Sequence, residues 1–200
     1  VLKSRWLTQG PKVKEFENLF SKYHNAKYGV ALSSCTTALH LMLIAAGIKK
    51  NDEVIIPSFT WVSTANAILY LGAKPVFVDV DLKKYNIDIN FIKKNITKKT
   101  KAILVVHLFG LCANINKLKS IISNKIIILE DCACAASSKI GNKYAGTLGL
   151  AGAFSFHPRK SISTGEGGMI LTNNLNFYKK IVQLRNHGAS ISEEKRHISS

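Results

Sequence analysis

The sequence is poor in acidic residues, in cysteine and in long apolar runs. It has 12 Asp+Glu against 28 Lys+Arg, and its 4 cysteines do not follow the regular spacing of a small secreted disulfide domain. No apolar run approaches the roughly 18 residues of a membrane-spanning helix, and the first residues lack a charged-then-apolar signal pattern. With 46% hydrophobic and 20% charged residues, the composition is that of a globular chain. We therefore expect a cytoplasmic protein with reduced thiols.

The net charge of +16 has two interpretations. Such a charge attracts nucleic acid or an anionic membrane surface. The lysines, however, come mostly as scattered pairs such as Lys49-Lys50, in a sequence that is also rich in Ile and Asn. A coding bias would produce the same pattern without any function. We expect no nucleic-acid or membrane partner, and a nucleic-acid-binding protein remains a distant alternative.

A metal site is not expected. Cys132 and Cys134 form a single C-x-C, and no second Cys/His pair stands at ligand spacing from them.

Short β-rich runs alternate along the chain with segments whose apolar residues recur at helical spacing. The predicted strands are 29–32, 53–57, 75–79, 101–107 and 125–131, and the predicted helices are 37–47, 64–72, 91–96 and 115–122. Two further apolar runs, AFSF and MILT, precede a helix in FYKKIVQLRNHG. This alternation predicts an α/β fold with a mainly parallel sheet and helices on both faces. Ligands bind such sheets at the carboxyl ends of the strands.

Three stretches at predicted strand ends carry candidate chemistry. SSCTTALH (33–40) places hydroxyl residues at a helix N-terminus, which suits either a plain cap or a phosphate site. ILEDCACAASS ends a strand in Glu130 and Asp131, either as a structural cap or as an acid that needs a cationic partner. FSFHPRKSISTGEGGM (154–169) carries Lys160, either a solvated loop lysine or an amine nucleophile. Together, a phosphate cradle, a strand-end acid and a lysine are what pyridoxal phosphate (PLP) chemistry requires.

Eight blocks of the sequence resemble those of a known family, in the same order. They are WLTQGPKVKEFE, SSCTTALHL, NDEVIIPSFTWVSTANAI, GAKPVFVDVD, TKAILVVHLFG, EDCACA, FSFHPRKSISTGEGGM and RNHG. The chain closely resembles the DegT/DnrJ/EryC1/StrS family of sugar aminotransferases, and perosamine-synthase-type members most of all. The resemblance implies a PLP-dependent fold type I large domain with a three-layer α/β/α architecture. It also implies that residues 1–200 are a truncated form, without a short N-terminal lead and a smaller C-terminal domain.

The resemblance implies a role for each matching residue. Lys160 matches the lysine that attaches covalently to the cofactor, and Asp131 matches the aspartate that keeps the pyridine nitrogen protonated. Thr36 and the backbone of Cys35 match the phosphate-binding turn, and Ser155 matches a serine that also reaches the phosphate. The remaining cofactor-binding positions are Trp61, which matches a stacked aromatic ring, and Cys134.

Two of these positions depart from the commonest family pattern. Cys35 replaces the glycine of a Ser-Gly-Thr turn, so a backbone conformation usual for glycine would have to carry a side chain. Cys134 stands where many members have glutamine or histidine near the cofactor's 3-hydroxyl.

By resemblance, the expected reaction moves an amino group from glutamate to a nucleotide-linked keto-deoxysugar of the 4-keto-6-deoxy class, for amino-sugar and surface-polysaccharide synthesis. A homodimer with a shared active site is implied as well. The alternatives are a PLP-dependent sugar dehydratase, which generally has histidine in place of the lysine, and a catalytically silent family member. Because the implied C-terminal domain would help to bind substrate, residues 1–200 alone are not expected to suffice for activity.

Overall fold

The strands and helices of this computed structural model are described for residues 1–4, 6 and 8–189. The strands are β1 (Tyr28–Leu32), β2 (Glu53–Pro57), β3 (Lys74–Val78), β4 (Thr100–Val106), β5 (Ile127–Asp131), β6 (Lys139–Ile140), β7 (Lys143–Tyr144), β8 (Ala151–Ser155) and β9 (Gly168–Thr172). The helices are α1 (Pro11–Tyr23), α2 (Cys35–Ala45), α3 (Val62–Leu69), α4 (Ile89–Asn95), α5 (Ile115–Ile121) and α6 (Leu175–Arg185). Residues 190–200, which the domain prediction includes, lie outside the described residues.

Seven strands form one mixed sheet in the order β1-β9-β8-β5-β4-β2-β3. The pairs β8-β5, β5-β4, β4-β2 and β2-β3 are parallel, whereas β9 runs antiparallel to both of its neighbours. The prediction of a mainly parallel sheet is confirmed. Because the carboxyl ends of the parallel strands meet at one edge, the polar residues that follow them are brought together there.

Helices cover both faces of the sheet, as predicted. Val54 and Ile56 of β2 pack with α2, α3 and α6 on one face, while Ile55 packs with α4 and α5 on the other. Successive side chains of a strand point to opposite faces, so a strand buried on both sides is a continuous apolar run. The first face is called the α2 face below. Phe20 of α1 packs on the opposite face, against Phe154 and Met169.

Helix α1 and the hairpin of strands β6 and β7 were not predicted from the sequence. Helix α1 has a narrow apolar stripe, and its buried residues are Glu17, Phe20 and Ser21. Glu17 is buried because it forms an ion pair with Arg185 of α6. The two-residue strands β6 and β7 form a small hairpin too short to give a periodic signal. Within the described part of the chain, no helix is long and apolar enough to cross a membrane.

Gly168 brings the start of β9 against the first turn of α2. A Cβ atom at this position would lie 2.4 Å from the Ser34 carbonyl oxygen and 2.7 Å from the Cys35 backbone nitrogen. Real Cβ atoms do not approach backbone atoms this closely, so only glycine allows the contact.

Gly168→Ala is expected to lower the free energy of unfolding by about 2 to 3 kcal/mol, because the sheet and α2 must move apart. Urea denaturation measures the loss. The matched control is Gly141→Ala in the β6-β7 turn, where φ is +56° and nothing lies within 4 Å of the added Cβ. It tests backbone strain alone and should cost about 1 kcal/mol. Equal losses in the two variants would contradict a steric role for Gly168.

Candidate active site

The two acids at the end of β5 point to opposite faces of the sheet. Asp131 follows Leu129 on the α2 face, and Glu130 follows Ile128 on the other. Both side chains are buried, Glu130 at 0% and Asp131 at 4% exposure. The two side chains differ in their surroundings, which indicate that Glu130 is a structural acid and Asp131 a candidate functional one.

Glu130 is saturated with hydrogen bonds. Its Oε1 accepts from the backbone N–H groups of Leu148 and Gly149, and its Oε2 accepts from Gly146 N–H at 2.8 Å. His107 Nε2 donates to the same Oε2 at 2.8 Å. The His107 tautomer is fixed, because Ala113 N–H donates to Nδ1 at 3.0 Å.

Within the described residues, one group of three His, Cys, Asp or Glu side chains is close enough together to hold a metal ion: His107, Glu130 and Cys132. The hydrogen bonds of Glu130 explain this grouping, since four donors already occupy its two oxygens. Glu130 therefore anchors the 146–149 loop to the sheet.

Asp131 keeps lone pairs available. Its Oδ1 accepts from Ala133 N–H at 3.1 Å and its Oδ2 accepts from the Thr64 hydroxyl at 2.9 Å. Burial raises the pKa of the Asp131 carboxyl, while these two donors and the charge of Lys160 lower it. Asp131 is thus a buried acid with one bond to each oxygen, and a cationic or N–H partner on the α2 face would complete it.

Thr64 is a site residue that sequence reasoning missed. It lies on α3, is fully buried, and its Oγ1 also contacts Thr60 Oγ1 at 2.9 Å. The hydrogen bonds that link Thr60, Thr64 and Asp131 therefore fix the plane of the Asp131 carboxylate. The only sequence signal is a pair of threonines four residues apart at the start of a helix, which is too common to be informative.

The first turn of α2 presents backbone donors at the same sheet edge. Ser34 is the N-cap residue, and its Oγ accepts from Thr37 N–H at 3.1 Å. The N–H groups of Cys35 and Thr36 have no intrahelical acceptor by helix geometry. Cys35 is the first helical residue and is not among the residues with positive φ, so the expected conflict between its side chain and a glycine-like backbone does not arise.

Ser155 lies next to this helix end. It is the last residue of β8 and pairs in register with Gly168, the glycine that contacts Ser34 and Cys35. The predicted phosphate-binding residues Cys35, Thr36 and Ser155 are therefore brought together on the α2 face.

Lys160 reaches the site from the turn that follows β8. Its Nζ lies 3.2 Å from Cys134 Sγ, and its charge acts on both Asp131 and Cys35. The Cys35 thiol has a raised pKa, because burial and the Asp131 charge outweigh the effect of Lys160. Lys160, Asp131, Cys35 and Cys134 thus lie close enough to one another for their charges to interact.

Trp61 lies at the rim of the site. It is the N-cap residue of α3, three positions before Thr64, and its side chain is 70% exposed. Its predicted stacking on the cofactor stays a prediction.

Three more exposed aromatic rings stand on the same edge. The ring centroids of Phe59, Tyr85 and Phe109 form a triangle with sides of 6.0, 6.2 and 6.3 Å. Buried Asn86 holds it together, because its side chain accepts from Leu108 N–H and donates to the Leu111 carbonyl. Tyr85 and Phe109 both have positive φ, at 58° and 52°. Sequence reasoning did not find this triangle, because its members come from three separate loops.

The whole chain, residues 1–200, matches the model of the DegT/DnrJ/EryC1/StrS aminotransferase family. The chain belongs to this family. The resemblance predicted from the eight sequence blocks is confirmed.

Curated relatives of this DegT-family chain include a GDP-perosamine synthase and a polysaccharide biosynthesis protein. It is 39% identical to the GDP-perosamine synthase of Escherichia coli O157:H7, over 98% of this chain and 54% of the relative. It is 40% identical to the spore coat polysaccharide biosynthesis protein SpsC of Bacillus subtilis, over 100% of this chain and 51% of the relative. The chain therefore spans about half the length of these relatives.

Solved structures give the same picture. The E. coli GDP-4-keto-6-deoxy-D-mannose-3-dehydratase with bound hydrated PLP is 39% identical and superposes with a TM-score of 0.89, over 94% of this chain and 50% of that one. The aminotransferase from Psychrobacter cryohalolentis is 33% identical with a TM-score of 0.91, over 98% of this chain and 51% of that one. The solved structures that the chain resembles thus include both a dehydratase and an aminotransferase.

Glu130→Gln is expected to lower the free energy of unfolding by about 3 kcal/mol or more, because an amide group would face backbone N–H donors in a dry environment. Urea denaturation provides the measurement. Glu15→Gln is the matched control: Glu15 pairs with Lys12 at 2.6 Å with its side chain 56% exposed, and its loss should cost under about 1 kcal/mol. A Glu130 variant as stable as the control would show that the carboxylate is not an anchor.

Asp131→Asn is expected to stabilise the protein at neutral pH, in the absence of added cofactor. The pKa of Asp131 is raised in the folded state, so the folded state binds the proton more tightly and stability falls as the pH rises between the unfolded and folded pKa values. The variant has no titrating carboxyl at this position and therefore avoids the loss. Its free energy of unfolding should exceed that of the wild type by on the order of 1 kcal/mol at pH 7, and the difference should disappear toward pH 4. Urea denaturation across this pH range tests it.

Thr64→Val serves as the opposite control, because it removes a donor that lowers the Asp131 pKa. It should be less stable than the wild type at pH 7 and recover relative stability at low pH. If both variants showed pH-independent differences, Asp131 would not be the titrating group.

Proposed function

We propose that this protein is a PLP-dependent aminotransferase that moves an amino group from glutamate to a nucleotide-linked keto-deoxysugar of the 4-keto-6-deoxy class. The observation that carries the proposal is the convergence of Lys160 and Asp131 at one sheet edge, beside the first turn of α2. An amine, a buried acid with unused lone pairs and an anion-binding helix end are three separate requirements, and this chain meets all of them in one place.

The residues fit the phosphate end of PLP. The N–H groups of Cys35 and Thr36 point out of an eleven-residue helix whose N-terminal dipole favours an anion. Ser155 adds a hydroxyl from β8, and Gly168 lets the strand end approach the helix closely enough for both to serve one phosphate.

They also fit the ring end. Asp131 would hold a proton on the pyridine nitrogen, and this cationic partner would offset the desolvation of its carboxylate. Thr64 and Ala133 N–H would keep the carboxylate in the orientation needed for that contact. Trp61, exposed at the start of α3, would cover a face of the ring, and Cys134 would lie near its hydroxyl.

Lys160 would attach the cofactor and then act as the general base and acid at the reacting carbon. Bound PLP supplies an electrophilic carbonyl and an electron sink, which no amino-acid side chain provides. Lys160 is suited to the proton transfer because its flexible side chain is partly exposed and ends beside Cys134, within the influence of Asp131. Proton transfer of this kind contributes roughly 10² to 10⁴-fold.

The acceptor class follows from the relatives rather than from a described contact. A GDP-perosamine synthase and a GDP-4-keto-6-deoxy-D-mannose-3-dehydratase are each 39% identical to the chain. The lysine at position 160 favours the aminotransferase over the dehydratase. The aromatic triangle of Phe59, Tyr85 and Phe109 offers flat apolar surfaces beside the site, which suit a planar ring of the substrate.

We further propose that residues 1–200 are the PLP-binding large domain, that a smaller C-terminal domain completes the protein, and that two copies share the active site. The proposed location is the cytoplasm.

Lys160→Arg is expected to abolish covalent attachment and to slow amino transfer by at least about 10²-fold, because a guanidinium neither forms the linkage nor exchanges its proton. The full-length protein is incubated with PLP and reduced with borohydride, and the labelled peptide is found by mass spectrometry. Conversion of glutamate to 2-oxoglutarate is followed in parallel. Lys139→Arg, an exposed lysine over the Tyr144 ring, is the control and should keep both the label and the activity.

The acceptor is tested by supplying 4-keto-6-deoxysugar nucleotides to the glutamate-treated enzyme. An amino sugar supports the proposal. Loss of a sugar hydroxyl without nitrogen transfer would identify a dehydratase, and a borohydride label on a lysine other than Lys160 would refute the site assignment.

A further inference from the structure

Lys160 and Cys134 form a close pair that amino transfer does not require. Lys160 Nζ donates a hydrogen bond to Cys134 Sγ at 3.2 Å. Cys134 is the one exposed thiol of the four cysteines, all of which lie in the described residues. The pair therefore combines a sulfur accessible to solvent with an amine in direct contact with it.

The other three thiols are in settings that suppress reaction. Burial raises the pKa of Cys132 and, together with the Asp131 charge, that of Cys35. Burial and the Glu130 charge raise the pKa of Cys112 to about 11. The thiolate is the reactive form of cysteine, so these three groups stay protonated and slow to oxidise. An exposed thiol beside a cation is the usual setting of an oxidation-sensitive cysteine.

We propose that Cys134 and Lys160 form a reversible sulfenamide cross-link when the protein meets a peroxide. The Cys134 thiolate first attacks hydrogen peroxide, the O–O bond breaks, and a sulfenic acid and one water form. The uncharged Lys160 amine then attacks the sulfur, the S–O bond breaks, and a second water leaves as the S–N bond forms. The sulfur loses two electrons and the peroxide gains them. An added thiol reverses the link by attacking sulfur and releasing the amine.

The link would make cofactor attachment sensitive to oxidation. This consequence rests on the proposed function, because it requires Lys160 to be the attachment site. A lysine held in an S–N bond has no amine to offer to PLP, and a lysine already attached to PLP has none to offer to sulfur. Binding of the cofactor and formation of the cross-link therefore exclude each other.

The experiment is intact-mass and peptide analysis of the full-length protein, stripped of cofactor and treated with hydrogen peroxide at mildly alkaline pH, where more of the lysine is uncharged. The expected product has lost two hydrogen atoms, about 2 Da, and yields a peptide that joins position 134 to position 160. Dithiothreitol restores the original mass. Preloading with PLP should lower the yield of the cross-linked product at least about tenfold, provided that the proposed function is correct.

Four variants separate the possible products. Cys134→Ser and Lys160→Arg should abolish the mass loss, and Cys112→Ser should retain it. Cys35→Ser also should retain it, which distinguishes the cross-link from a Cys35–Cys134 disulfide of the same mass. Addition of oxygen without a cross-link, no mass change, or loss of the product in Cys35→Ser would overturn the proposal. A cross-link that forms equally with PLP present would contradict the proposed function but not the cross-link.

Discussion

The buried carboxylate of Asp131 is the constraint on which the arrangement of the site depends. A carboxylate at the end of a sheet strand loses most of its hydration, and one bond to each oxygen from Ala133 and Thr64 only partly replaces it. A positive group that approaches from the α2 face would offset the remaining loss of hydration. The carboxylate of Glu130, one residue earlier, needs no such group. It accepts hydrogen bonds from four donors within the fold, and these bonds hold the 146–149 loop in place.

The architecture could be predicted from the sequence because both faces of the sheet are covered. A strand such as EVIIP is apolar on both sides, and that continuous run is visible without any structural knowledge. Helix α1 was missed because its buried stripe contains a glutamate, Glu17, whose partner Arg185 lies 168 residues later in the chain. Pairing over such a distance leaves no local signal.

The candidate site could be predicted only in part. Residue pattern alone found an acid at the end of β5 but could not choose between Glu130 and Asp131, since the choice depends on which face carries α2 and α3. The family resemblance selected Asp131, and the position of Thr64 gives a physical basis for that choice. Three features cannot be read from spacing along the sequence, because each depends on contacts between separate parts of the folded chain. They are the hydrogen bond of Thr64 to Asp131, the hydrogen bonds of Asn86 to Leu108 and Leu111, and the contact of Gly168 with Ser34.

Overall identity is a poor guide to the reaction in this family, and the structure indicates why. A GDP-perosamine synthase and a GDP-4-keto-6-deoxy-D-mannose-3-dehydratase are each 39% identical to this chain, so overall identity does not separate the two reactions. In the proposed function, the reaction would depend on the few side chains that face the reacting carbon, and these extend from the loops after β5 and β8. Two of them, Cys134 and Lys160, touch each other, so a change at either one alters the surroundings of the other without affecting the fold.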